Sequence, residues 1–190
     1  MIGSVNFVDH NIFIKKKVKK MTFIQSAIRT KSDKFYNCNL NRAEVLNILE
    51  QNIKNLEILD AVKKKLFYNK TSNLLEEVEI EPDSWNDEYT PEQIDIIHGV
   101  LGIATEAGEL LEALYGLIGL GKELDLVNLK EECGDVFWYQ AILANATDNT
   151  FEGIQNTVIA KLKKRFPDKF TEEDANNRDL IAEREILENE

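Results

Sequence analysis

The sequence predicts an all-α fold, and three observations support that prediction. Its 190 residues include only three prolines and nine glycines, so few positions interrupt regular structure. Apolar residues recur at three- and four-residue steps, and no series of β-branched segments alternates with period two. Side chains suited to helix capping precede several of the periodic segments. Length and composition fit one ordinary globular domain with a packed core.

The N-terminal part predicts one long helix after a weakly patterned start. Val18 to Ile28 fits a short helix. A helix from about Asn39 to Tyr68 then carries one apolar stripe, formed by Val45, Leu46, Leu49, Ile53, Leu56, Leu59, Val62 and Leu66. Such a stripe is typical of a core or partner interface rather than of a chemical site. Residues 69–89 contain an acidic run and a proline, and they predict a linker.

A strong helix start follows this linker. Thr90 is suited to the N-cap, Pro91 to the first helical position and Gln93 to the capping box, which predicts a helix from Pro91 to about Leu114. A glycine-rich inter-helix loop is expected next, with Gly116, Gly119 and Gly121. This segment reads G-x-x-x-x-G-K, but a phosphate-binding P-loop is rejected because it follows a helix and lacks the Ser or Thr after the lysine.

Three further helices are expected in the C-terminal part. The first runs from Val127 or Asn128 to Asn145, and the second runs from Thr150 to Phe166, where Pro167 stops it. Thr171, followed by two glutamates, caps a charged tail helix.

The net charge of −11 is unevenly distributed. Residues 1–70 hold 14 Lys+Arg and 6 Asp+Glu, a balance of +8, whereas residues 71–190 hold 9 and 28, a balance of −19. The acidic part is a poor electrostatic partner for nucleic acid phosphates, so no nucleic-acid partner is expected. The basic arm either contacts an anion or neutralises the acidic part.

Membrane insertion and disulfide chemistry are not expected. The longest apolar stretch, Val136–Ala146, is far shorter than the roughly 20 residues that span a bilayer. The N-terminal lysines follow the apolar residues, the reverse of a secretory signal, which predicts a cytoplasmic protein. Cys38 and Cys133 have no Cys or His neighbours at zinc spacing and are expected to be reduced thiols.

Two pairs of carboxylates form the main candidate site. Glu106 and Glu109 stand three residues apart on one predicted helix, and Glu132 and Asp135 stand three apart on the next. This spacing puts both acids of a pair on one helical face, and antiparallel helices would bring the pairs together. Clustered carboxylates among apolar residues need a compensating cation, and an all-oxygen ligand set favours Mg²⁺ or Mn²⁺.

Two glycines strengthen this hypothesis. Gly108 and Gly134 each lie between the paired acids inside a helical pattern, at a cost near 1 kcal/mol of helix propensity. Their positions suggest close helix approach or room for a ligand. The alternative is an ordinary solvated acidic face, since E-x-x-E occurs often in acidic helices.

The paired acids resemble a known family. The order Glu-x-x-Glu, about twenty residues, Glu-x-x-Asp is similar to the MazG-like all-α nucleoside triphosphate pyrophosphohydrolases, including members frequently carried by bacteriophages. The stretches 98–109, 127–139 and 159–171 resemble the same proteins, and the likeness covers about residues 91–188. Residues 1–89 are then an N-terminal extension with an extra helix, and residues 90–190 a MazG-like catalytic domain.

The resemblance implies an oligomeric enzyme. It would be a helical bundle assembled as a homodimer, homotetramer or other oligomer, in the host cytoplasm if phage-encoded. It would cleave an NTP or dNTP to the monophosphate and pyrophosphate with Mg²⁺, for which Mn²⁺ is a possible substitute. The catalytic and metal-ligating residues would be Glu106, Glu109, Glu132 and Asp135. The expected substrate-binding residues are Lys161, Arg165, Lys122 and Trp138.

Departures from the family pattern bear mainly on substrate contacts. Thr105 stands where relatives often have a further glutamate, Val158 where an asparagine is common, and Tyr115 and Gly116 where basic residues are frequent. Two rival functions stay open at this point: a non-enzymatic helical partner-binding protein, and a pyrophosphohydrolase of another nucleotide such as phosphoribosyl-ATP. His98, on the first motif helix, is expected to be a structural histidine.

Overall fold

The computed structural model describes residues 21–34, 40–76 and 88–188, which form seven α-helices and no strand. The helices, numbered α1 to α7 in chain order, are Phe23–Ile28, Arg42–Tyr68, Pro91–Leu120, Leu126–Ala146, Phe151–Arg165, Glu172–Asn176 and Leu180–Glu188. A short 3₁₀ turn spans Asn73–Leu75. The prediction of an all-α fold is confirmed. No helix in these residues combines the length and the apolar character that a bilayer crossing demands.

Helix α3 begins at the capping box that the sequence predicts. The Thr90 hydroxyl accepts a hydrogen bond from the Gln93 backbone N–H, and the Gln93 side chain accepts one from the Thr90 N–H. Pro91 occupies the first turn, where no N–H is needed. The other end differs from the prediction. The helix continues through Gly116 and Gly119 and ends only at Gly121, which adopts the left-handed conformation with φ 63°.

Helix α3 is the middle of a three-helix layer in which α2 and α4 both run antiparallel to it. On one side its glycines face α4, where a Cβ on Gly102 would fall 2.0 Å from the Tyr139 ring. On the other side a Cβ on Gly108 would fall 3.0 Å from Leu56 Cβ on α2. The glycines therefore permit close backbone approach, as predicted for Gly108. A Cβ on Gly134 would meet nothing within 4 Å.

Helices α5 and α7 form a second unit of packing, joined by an ion pair of Arg165 with Glu183. Helix α1 lies against this unit, where the Arg29 guanidinium donates to the carbonyl oxygens of Phe166, Pro167 and Asp168.

The other predicted helix bounds agree with the structure to within a few residues, except that the single tail helix expected after Thr171 is two helices, Glu172–Asn176 and Leu180–Glu188. The predicted helix over Val18–Ile28 is observed from Phe23, and residues 18–20 lie outside the described residues. Cys38 and most of the predicted 69–89 linker also lie outside them, while Cys133 is an exposed free thiol.

Candidate metal and nucleotide site

Three of the four predicted carboxylates converge between α3 and α4. One oxygen from each of Glu106, Glu109 and Glu132 lies within 4.8 Å of the others. The helical three-residue step puts the first two on one face of α3, and the antiparallel α4 brings the third opposite them. Glu106 and Glu132 are only 7% and 5% exposed, whereas Glu109 is exposed. The group therefore has two buried members and one that faces solvent.

The charges at this cluster oppose one another. Burial, followed by the neighbouring charge of Glu109, raises the pKa of Glu132 from 4.5 to about 7. Glu106 and Asp135 act in the same direction, and Glu132 shares a hydrogen bond with Glu109. This carboxyl is therefore only partly ionised near neutral pH, and a bound cation would favour its ionised form.

Asp135 lies beside the cluster but is not one of its three convergent members. It is exposed on α4, one helical turn after Glu132, and its charge is felt by the Glu132 carboxyl. Its predicted role as the fourth ligand stays a prediction.

An acidic cleft opens beside the cluster between α2 and α3. Its volume is about 380 Å³. Its lining residues are Ile53, Leu56, Glu57, Asp60, Leu74, Thr105, Gly108, Glu109 and Glu112. Burial, then the charges of Glu57 and Glu109, raises the pKa of Glu112. A polyphosphate approaching along this face would need intervening cations.

The sequence reasoning missed a lysine at this site. Lys63 lies on α2, is 2% exposed, and places its ammonium 3.1 Å from Glu106 Oε1 and 3.0 Å from Asp60 Oδ1. It also donates to the Thr105 hydroxyl at 2.7 Å. Although burial lowers it, these ion pairs and a contact with Tyr139 raise the Lys63 pKa above its ordinary value.

One sequence signal could have revealed Lys63. It stands four residues after Leu59 and three before Leu66, which places it on the apolar face of α2. A lysine on such a face needs a buried partner. The sequence did not identify that partner, because Glu106 is 43 residues away.

His98 has a structural environment, as predicted. Its ring stacks on Phe67 at a centroid distance of 3.9 Å, and its Nε2 lies 3.3 Å from the Tyr68 hydroxyl. Burial, and then the charge of Lys63, lowers its pKa. Trp138, a predicted base-stacking residue, contacts the His98 ring edge-on and is 53% exposed. Its indole is therefore accessible to a ligand.

The predicted phosphate-binding cations have different surroundings. Arg165 donates two hydrogen bonds to Glu183, at 2.7 and 2.5 Å, and Arg178 also donates to that carboxylate. This arrangement gives Arg165 a structural partner that the sequence reasoning did not foresee. Lys161 lies half-buried on α5, and Lys122 is exposed after the α3 terminus. Their substrate contacts stay predictions.

The residues present fit a hard divalent cation. Three carboxylates offer oxygen ligands within a span that a single ion can bridge, and Mg²⁺ and Mn²⁺ prefer oxygen. Burial, and then the charges of Glu109, Glu106 and Asp135, raise the pKa of Glu132, so a bound cation would favour its ionised form. In the residues that the structure describes, Glu106 is the only one of the three carboxylates with a direct ion pair, which it makes with Lys63.

The chain is therefore an all-α protein with a carboxylate cluster between two antiparallel helices in the residues that the structure describes. Residues 99–170 match the model of the MazG nucleotide pyrophosphohydrolase domain. The chain carries this domain and is an enzyme, since the domain implies metal-dependent nucleotide pyrophosphohydrolase activity. No curated protein and no solved structure matches the chain. The matched residues include the carboxylate cluster, and α2 lies outside them.

Proposed function

We propose that the protein hydrolyses a nucleoside triphosphate, ribo- or deoxyribo-, to the monophosphate and pyrophosphate. The observation that carries the proposal is the convergence of Glu106, Glu109 and Glu132, two of them buried, inside the matched domain. Asp135 is proposed as the fourth carboxylate of the site. Mg²⁺ is the proposed cofactor, with Mn²⁺ as a substitute, because all the candidate ligands are oxygens.

The protein's own residues would bind the cation, accept the proton and bind the substrate. Glu106, Glu109 and Glu132 would bind the cation, and Glu109, the exposed member, would also accept a proton from the attacking water. Lys161 and Lys122 would bind phosphate oxygens, and the exposed Trp138 indole would stack on the base. When bound, a divalent cation neutralises phosphate charge and lowers the pKa of a bound water.

A homo-oligomer is proposed as the active unit. Besides Trp138, three apolar residues of α4 are more than half exposed: Leu126, Val127 and Phe137. The described residues include only five buried apolar side chains, so a single chain encloses a small core. Association of two or more copies would cover this surface. Sedimentation of the active protein as a monomer would contradict this proposal.

The reaction is tested by a product assay. The purified chain is incubated with each common NTP and dNTP and Mg²⁺, and the products are separated by chromatography. Monophosphate with an equal amount of pyrophosphate is expected. Orthophosphate as the first product would refute the proposed bond cleavage. A helical partner-binding protein would give no turnover, and its melting temperature would not respond to millimolar Mg²⁺.

A further inference from the structure

Helix α2 contributes a buried cation to the carboxylate site, although it lies outside the matched domain. The Lys63 side chain is 3% exposed. Lysine is almost never this buried unless its charge is paired. The groups around the ammonium therefore indicate what Lys63 does in the site.

Those partners fix the ammonium group completely. It has three protons to donate, and it meets Thr105 Oγ1 at 2.7 Å, Asp60 Oδ1 at 3.0 Å and Glu106 Oε1 at 3.1 Å. It also lies 4.8 Å from the centroid of the Tyr139 ring. These contacts hold the ammonium group between α2 and α3.

The contact with Glu106 restrains a candidate metal ligand. A free glutamate samples several rotamers, and holding it in one of them costs conformational entropy. Lys63 removes part of that freedom in advance, because its ammonium group holds Glu106 Oε1. Thr105, the adjacent residue on α3, is fixed by the same ammonium group and by its own bond to the Gly102 carbonyl.

We propose that Lys63 is a positioning residue for the divalent cation, acting through Glu106, so that α2 is part of the catalytic unit. This inference rests on the proposed function. Groups that orient metal ligands typically contribute about 10- to 100-fold to metal affinity. The opposite effect is expected of a lysine that only adds positive charge near the ion, since its removal would tighten binding.

The experiment measures the Kd of Mn²⁺ by titration of the full chain, using electron paramagnetic resonance of the free ion. Lys63→Met is expected to weaken Mn²⁺ binding by about tenfold or more. Lys63→Arg, which keeps charge and donors, should restore part of the loss. Lys64→Met is the matched control, because Lys64 is the next residue on α2, is only half-buried and also pairs with Asp60, so the variant removes the same charge. That control should bind Mn²⁺ like the parent.

A second comparison keeps the test decisive if Lys63→Met fails to fold. The double variant Lys63→Met/Glu106→Gln removes both members of the buried Lys63–Glu106 ion pair, and it is compared with Glu106→Gln alone. If Lys63 acts through Glu106, adding the lysine change should alter the Kd less than twofold. A further tenfold loss would overturn the inference, and so would a Lys63→Met protein that binds Mn²⁺ as tightly as the parent or more tightly.

The parent separates this inference from the proposed function. Turnover and Mn²⁺ binding by the parent, with no effect of Lys63→Met, would overturn the role of Lys63 alone. A parent that neither turns over a nucleotide nor binds Mn²⁺ would overturn both proposals.

Discussion

Replacing Glu132 with glutamine removes a negative charge from a buried position that feels three other carboxylates. The pKa of Glu132 is raised from 4.5 to about 7, first by burial and then by the charge of Glu109. A carboxyl with a raised folded-state pKa contributes stability that is present below pH 4.5 and lost as the pH rises through 7. At pH 8 the ionised group lowers the free energy of unfolding by about 3 kcal/mol.

The variant should therefore be more stable than the parent when metal is removed. In EDTA at pH 8 we expect Glu132→Gln to have a free energy of unfolding about 1 to 3 kcal/mol above that of the parent. The lower value allows for imperfect hydrogen bonds of the buried amide. For a protein of this size the gain corresponds to roughly 2–12 °C in Tm. At pH 5 the advantage should fall below about 1 kcal/mol, because Glu132 is already protonated in the folded parent.

Thermal melting by circular dichroism at pH 5 and pH 8, with EDTA or Mg²⁺, measures these effects. Mg²⁺ should raise the Tm of the parent more than that of the variant, since the variant lacks one ligand. Glu131→Gln is the matched control: it makes the same charge change at an exposed neighbour and should shift stability by less than about 0.5 kcal/mol. Equal shifts from both variants, or a variant that melts lower in EDTA at pH 8, would refute the reasoning.

Three further outcomes follow from the described residues. Asp135→Asn should lose most turnover in the product assay yet melt no lower than the parent in EDTA, and parental turnover would remove Asp135 from the site. Hydrogen bonds from Arg165 and Arg178 lower the pKa of Glu183 to about 2. Glu183 should therefore add up to about 3 kcal/mol to the free energy of unfolding above pH 4.5, and this contribution is lost as the pH falls toward 2. Urea unfolding of the parent and of Glu183→Gln at pH 7 and pH 3 measures it. Gly102→Ala should destabilise the fold by about 1–3 kcal/mol, because the new Cβ would meet the Tyr139 ring at 2.0 Å. Gly134→Ala meets no neighbour and should stabilise the fold by up to about 1 kcal/mol. Urea unfolding compares the two variants, and equal shifts would contradict the packing.

The helices were predictable because their signals are local. The capping box at Thr90 and Gln93, and the apolar stripe that ends near Tyr68, lie within one helix each and need no knowledge of the partner helix. The α3 terminus was wrong for a non-local reason. A Cβ on Gly119 would fall 3.0 Å from Leu46 on α2, so this glycine serves helix packing inside α3 rather than a turn.

The carboxylate pairs were predictable for the same local reason, since three-residue spacing fixes their common face. The partners of the charged residues were not. Arg165 was expected to bind phosphate as a cation, and that role stays a prediction, but the structure also pairs it with Glu183, 18 residues later, which accepts two of its hydrogen bonds. Sequence spacing does not predict which carboxylate a flexible guanidinium contacts, because that depends on how α7 packs against α5.

Lys63 extends this argument to the organisation of the chain. Composition places a boundary near residue 89, between an extension and a catalytic domain, and that boundary stays a prediction. The Lys63 ammonium crosses it, since it joins Asp60 on one side to Thr105 and Glu106 on the other. A truncation at residue 89 would leave Glu106 without its cation, and beside Glu109 and Glu132 its charge would then be uncompensated. The acidic pairs can therefore be recognised without α2, but their electrostatic balance depends on it.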